Sequence, residues 1–186
     1  IGWRKKAIKI LAKHQPKRIL DVATGTADFA LATLKINQDE VIGVDISEGM
    51  LEVGRKKIVE KGIKNIRLEY GDSENLQFED NSFDAVIVAF GVRNFENLEK
   101  GLQEINRVLR PGGIAMILEF SKPKGVFKII YSVYFNVILP LWGKIFSGDN
   151  SAYTYLPESV KAFAEGEEFK QIMSAAKYNN VQDKRL

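Results

Sequence analysis

The stretch Arg18-Ile19-Leu20-Asp21-Val22-Ala23-Thr24-Gly25-Thr26-Ala27-Asp28-Phe29-Ala30, continued by Val41-Ile42-Gly43-Val44-Asp45, decides the fold. Ile19 to Val22 reads as a short apolar strand, Gly25 as a turn, and Phe29 to Leu34 has the apolar spacing of a helix. A second strand ends on Asp45, 20 residues beyond Gly25. This is the layout of a nucleotide-type βαβ unit. A glycine turn closes the first strand, and a carboxylate at the tip of the second takes ribose hydroxyls.

The loop chemistry narrows the ligand. A pyrophosphate loop of the form G-x-G-x-x-G lets bare backbone approach the phosphates. Here Ala27 takes the second glycine position and Asp28 puts a negative charge where an anion would sit. Such a loop disfavours pyrophosphate and tolerates a ligand that joins a ribose to a positive charge. S-adenosylmethionine, an adenosine with a sulfonium and no phosphate, fits that description. A nicotinamide or flavin site and a purely structural turn stand as the alternatives.

Working outward, 186 residues suffice for one domain with a substantial core. A net charge of +3 is too small to argue for nucleic acid, though it suits an anionic membrane surface. The absence of cysteine excludes disulfides, thiolate nucleophiles and cysteine metal sites, and is compatible with a reducing cytosol. The first residues read as helix, and no signal peptide is expected among them. Residue 1 is Ile in what reads as mid-helix, so the natural start is expected to lie upstream.

Trp3 to His14, with Trp3, Ala7, Ile8, Ile10 and Leu11 apolar, reads as an amphipathic helix before the first strand. His14 reads as a solvated residue at its end, with a catalytic base as the rival role. Ser47 is expected to N-cap a helix running to Gly62, with Met50 and Leu51 facing inward. Met50 is either core or a neighbour of adenine. Ile66 to Tyr70 is a third strand. Its tip, Gly71-Asp72-Ser73-Glu74, offers Asp72 as an acceptor for an adenine amino group or as a turn cap. Phe83 to Phe90 is a fourth strand, apolar throughout as expected when both faces are buried. Leu98 to Leu109 is a helix stopped by Arg110-Pro111-Gly112-Gly113, and Ile114 to Phe120 is a fifth strand.

Strands alternating with helices imply an α/β doubly wound, mostly parallel sheet with ligands at the carboxyl ends of its strands. Gly25, Asp45, Asp72, Arg93 and Glu119 all fall at such ends. Val126 to Phe146 departs from the pattern. It is aromatic-rich and nearly long enough to span a bilayer, but Lys128, Asn136, Lys144 and Pro140 argue against a span. It reads as a helical lid within an insertion at 126–156 of one domain, 1–186, with a dimer face as the alternative. A helix from Gly166 to Ala176 and a terminal strand complete the reading.

Several strings resemble the ubiquinone/menaquinone biosynthesis C-methyltransferase family, demethylmenaquinone methyltransferases included, within the class I methyltransferases. They are Asp21 to Asp28, Asp45-Ile46-Ser47-Glu48-Gly49-Met50-Leu51, Phe90-Gly91-Val92-Arg93-Asn94, Leu109-Arg110-Pro111-Gly112-Gly113, Glu119-Phe120-Ser121-Lys122-Pro123 and Tyr153-Thr154-Tyr155-Leu156-Pro157-Glu158-Ser159. The first and fourth are widespread among methyltransferases; the third, fifth and sixth are far more selective. Two departures accompany the match. Ala27 replaces the family's glycine, which is tolerable if its φ is negative, and the family's final antiparallel strand is missing.

The resemblance implies a Rossmann-like methyltransferase that moves a methyl group from S-adenosylmethionine to a ring carbon of a demethylated prenyl quinol, leaving S-adenosylhomocysteine. By the resemblance Thr26, Asp45, Asp72 and Ser73 match donor-binding positions and Gly25 permits the turn; Asp21 and Met50 complete the expected cofactor residues, with no metal. Arg93 and Asn94 are the expected catalytic pair. A guanidinium is a poor base, so Arg93 is assigned to stabilising a developing phenolate and Asn94 to orienting it. A purely structural ion pair is the rival role for Arg93, and Glu119, Tyr153 and His14 are weaker proton acceptors.

Menaquinone is favoured over ubiquinone only through a lysine- and asparagine-rich composition. A methyltransferase for another small molecule or lipid, and a non-catalytic nucleotide sensor, are the remaining readings. A nucleic-acid methyltransferase is disfavoured by the lack of an Asn/Asp-Pro-Pro motif and of cysteine. The expected setting is cytoplasmic, peripheral at the inner face of the membrane.

Overall fold

A computed structural model describes residues 2–120 and 163–184 of the chain. It divides the chain into two units, Ile1–Glu119 with Lys170–Leu186, and Phe120–Phe169. The expected insertion at 126–156 and Tyr153 lie outside the described residues.

In the first unit, five strands form one parallel sheet: β1 (Arg18–Val22), β2 (Glu40–Asp45), β3 (Ile66–Tyr70), β4 (Phe83–Ala89) and β5 (Leu109–Leu118). Their order is β3-β2-β1-β4-β5. The chain first builds outward from β1 through β2 to β3, then returns to the other side of β1 for β4. The reversal opens a crevice between the carboxyl ends of β1 and β4, the place where doubly wound sheets bind ligands. Ile19, Leu20, Val22, Val41, Ile42 and Ala85 to Val88 are almost wholly buried, which accounts for the continuous apolar runs of the central strands.

Helix α1 (Gly2–Ala12) buries Ala7, Ile8 and Leu11, one stripe of its surface. Helix α2 (Asp28–Ala32) passes into a 3-10 turn at Thr33–Lys35. Helix α3 (Glu48–Glu60) buries Leu51, Gly54 and Ile58. Helix α4 (Leu98–Val108) buries Leu102, Ile105 and Val108, and Asn97 Oδ1 caps it by accepting from the Lys100 amide at 3.0 Å. Helix α5 (Glu167–Ala175) lies close to its expected span.

Several local expectations need correction. Ser47 holds the N-cap position of α3, but its side chain makes no capping bond. Leu51 is buried whereas Met50 is 50% exposed, because consecutive helical residues point about 100° apart. Helix α4 stops at Val108, and β5 begins at Leu109 rather than Ile114. Arg110 to Gly113 are absorbed as an irregularity, since Phe83 pairs with Leu109 while Ala85 pairs with Ile114. Residues 177–184 form no strand. His14 is exposed beside Lys17, Asp84 and Arg110 in a shallow recess at the amino ends of β1 and β4. That is the far end of the sheet from the crevice, which removes His14 as the base.

Candidate active site

The glycine turn is built by hydrogen bonds that cross from β1 to β2. The Thr24 amide donates to the Val44 carbonyl at 3.0 Å. Asp45 closes the arrangement: Oδ2 accepts from the Gly25 amide at 2.8 Å, and Oδ1 from the Ser47 amide at 2.9 Å. The half-buried carboxylate at the tip of β2 is thus locked in place by both oxygens. Gly25 has φ +56°, a conformation that favours glycine. Gly91 lets the turn after β4 approach, since a Cβ there would meet the Ala23 Cβ at 2.5 Å.

Ala27 overturns the condition attached to it in the sequence. Its φ is +63°, left-handed rather than negative, and it is fully buried. An L-residue in this region carries a steric cost of roughly 1–2 kcal/mol. Asp28 also behaves differently from expectation. It is exposed and pairs with Lys57 Nζ at 2.9 Å, so its charge is largely answered by α3 and gives little reason to exclude a phosphate. Lys57 also donates to the Thr26 carbonyl at 3.1 Å and to Thr26 Oγ1 at 2.9 Å. Sequence reasoning missed this lysine, and no local signal announces it, because its partners are about thirty residues away.

Asp21 lies beneath the turn. Thr24 Oγ1 donates to its Oδ2 at 2.7 Å, while Oδ1 is buried with no hydrogen-bond partner among the described residues. Burial pushes its carboxyl up from 3.8 to about 7, against the lowering effects of the Thr24 hydroxyl and the nearby Ala30 amide, and the Asp45 charge adds to the rise. Asp72 is exposed at the tip of β3. Its Oδ1 accepts from the Glu74 amide at 2.9 Å, so it caps its own turn, the plainer of its two sequence readings. Half-buried Ser73 adjoins it. Met50 flanks the turn, with a Cβ built on Gly25 falling 3.6 Å from its sulfur.

On the other side of the crevice, Val92–Asn94 form a 3-10 turn after β4. Arg93 Nη1 meets Glu119 Oε2 at 2.5 Å, and both side chains are only 9% exposed. Glu119 is therefore the partner of a guanidinium, which holds its carboxyl group in place. Asn94 is exposed next to this pair.

The residues present fit an adenosyl ligand that carries a positive charge. Asp45 offers a fixed carboxylate at the strand tip, of the kind that ribose hydroxyls require, beside a turn whose Asp28 charge is shared with Lys57. A model of the ubiE/COQ5 methyltransferase family matches residues 2–186. The chain belongs to that family. It is similar to the demethylmenaquinone methyltransferase of Bacteroides fragilis, with 47% identity covering 100% of this chain and 77% of that one. With the ubiquinone/menaquinone biosynthesis C-methyltransferase of Geobacter sulfurreducens it shares 44% identity, covering 96% and 71%. The solved structure of an S-adenosylmethionine-dependent methyltransferase from Aquifex aeolicus superposes with a TM-score of 0.58 at 24% identity, covering 64% of this chain and 66% of that chain. At that identity the likeness shows the fold alone.

The family member described here is an S-adenosylmethionine-dependent C-methyltransferase. The nicotinamide, flavin and non-catalytic readings fall away with that assignment. Among the described residues no helix is long and apolar enough to cross a membrane.

Proposed function

We propose that this methyltransferase methylates a ring carbon of a demethylated prenyl quinol, demethylmenaquinol first among them. The observation that carries the reading is the 47% identity, over the whole chain, to a protein named for demethylmenaquinone. The Geobacter relative's name keeps the ubiquinone precursor as the alternative acceptor.

S-adenosylmethionine supplies an electrophilic methyl group on a sulfonium, so the protein has two tasks, alignment and a more nucleophilic ring. Asp45, with Gly25 and Thr26 in the turn, holds the ribose end of the donor. Asp72, Ser73 and Met50 border its adenine, and Asp21 supports the turn from below. Across the crevice Arg93 stabilises the negative charge left on the ring oxygen when the hydroxyl proton passes to water. Glu119 fixes the guanidinium plane and Asn94 orients the ring. The pair is shielded from water, which strengthens its field on a nearby phenolate.

The acceptor's lipid tail argues for reversible contact with a membrane surface through Val126 to Phe146. A second copy of the chain is the other partner this apolar run would suit. Both rest on sequence, since that segment lies outside the described residues.

The test is mass spectrometry of quinols incubated with the protein and S-adenosylmethionine. Menaquinol formed from demethylmenaquinol is the expected product, and Arg93→Lys slows its formation more than tenfold with donor affinity kept, because lysine lacks the planar fork. No methylation of any prenyl quinol overturns the substrate reading. An unimpaired Arg93→Lys returns Arg93 to a purely structural role.

A further inference from the structure

The face of α3 that meets the glycine turn has a sequence logic of its own. Met50, Gly54 and Lys57 stand at i, i+4 and i+7, one stripe of a helix. Met50 flanks Gly25. Gly54 has no side chain because a Cβ there would lie 3.2 Å from the Ala27 Cβ and 3.3 Å from the Thr26 carbonyl carbon. Lys57 then reaches past the end of the turn to the Thr26 carbonyl, the Thr26 hydroxyl and the Asp28 carboxylate, at 3.1, 2.9 and 2.9 Å. These contacts bracket Ala27, the residue forced to φ +63°.

We infer that Lys57 is a positioning residue that holds the donor-binding turn in its binding shape against the left-handed strain of Ala27. The proposal rests on the donor reading above and is independent of the identity of the acceptor. Without the lysine, Ala27 gains by relaxing toward a right-handed conformation, which swings the peptides of Gly25 and Thr26 away from Asp45. The competent turn then becomes a minor state, and the apparent affinity falls by its fractional population. The steric preference at a left-handed alanine is worth roughly a factor of ten in such an equilibrium. A glycine at position 27 has no such preference and would not need the clamp.

The experiment is calorimetric titration of the full chain with S-adenosylhomocysteine, comparing the parent with Lys57→Met, Ala27→Gly and the double variant. Lys57→Met should bind roughly tenfold more weakly, with the double variant regaining most of that loss and Ala27→Gly binding at least as well as the parent. Melting curves accompany each titration. Lys57 has 31% of its side chain exposed and its loss should leave the fold intact. Should Lys57→Met not fold, Lys57→Gln, with one shorter donor arm, carries the same comparison.

Parental affinity in the lysine variant overturns the proposal. So does a double variant no better than the single, since the lysine would then act by charge and not on the strained turn. A parent that does not bind S-adenosylhomocysteine would instead remove the donor reading on which the proposal rests. A failure to methylate quinols would touch neither.

Discussion

Asp21 should make the stability of this protein fall as pH rises through neutrality. In the unfolded chain its carboxyl ionises at its ordinary value of 3.8; in the fold, burial holds it protonated up to about 7. Between those values the folded state binds more protons than the unfolded state, so stability decreases with pH. The contribution is largest below pH 3.8, is lost progressively up to about 7, and is flat above. At about 1.4 kcal/mol per pH unit, the parent loses about 3 kcal/mol from this group between pH 5 and pH 8. Asp21→Asn removes the ionisation and keeps an acceptor for the Thr24 hydroxyl. It also places amide N–H groups where Oδ1 has no partner, at a cost of about 1–3 kcal/mol at any pH. The variant should therefore be less stable than the parent at pH 5 and equal or more stable at pH 8. Urea unfolding at pH 5, 6, 7 and 8 measures the difference between the two, in which other titrating groups cancel. Parallel pH profiles for parent and variant would refute the argument.

Asp45→Ala should weaken S-adenosylhomocysteine binding by roughly 1.5–3 kcal/mol by calorimetry, because a charge-assisted partner is lost and the Gly25 and Ser47 amides lose their acceptor. Parental affinity would disconnect Asp45 from the donor. Gly54→Ala should lower stability by about 1–3 kcal/mol in denaturant melts, since its Cβ would lie 2.6 Å from Leu68 Cδ1 and 3.2 Å from the Ala27 Cβ; an unchanged midpoint would mean that α3 can back away from the turn. The double replacement Phe127→Ser and Tyr131→Ser should reduce binding to anionic liposomes and activity on long-tailed quinols, and spare a short-tailed soluble analogue. Equal loss on both substrates would make that segment part of the core or a dimer face.

Periodicity and composition determined most of the scaffold. The strands are buried on both faces, so they read as unbroken apolar runs, and α1, α3 and α4 read from their stripes. The position of Gly25 and the 20-residue step to Asp45 placed both residues at the strand tips, because that spacing is a consequence of one βαβ crossover.

Facts set by contacts between distant segments were beyond the sequence. Ala27 takes positive φ in a turn that packs against Gly54 of α3, a contact that no local pattern reports. Asp21 looked like one more polar residue in a motif until its neighbours excluded water from one of its oxygens. Arg93 and Glu119, 26 residues apart, were separate candidates for charge and base, and their pairing across the ends of β4 and β5 made them one unit. His14 was moved from the site to the opposite end of the sheet by the direction of β1 alone. A one-dimensional pattern reports which way a side chain points relative to its own element. What that side chain meets, and so its charge, strain and chemistry, is decided only when the elements pack.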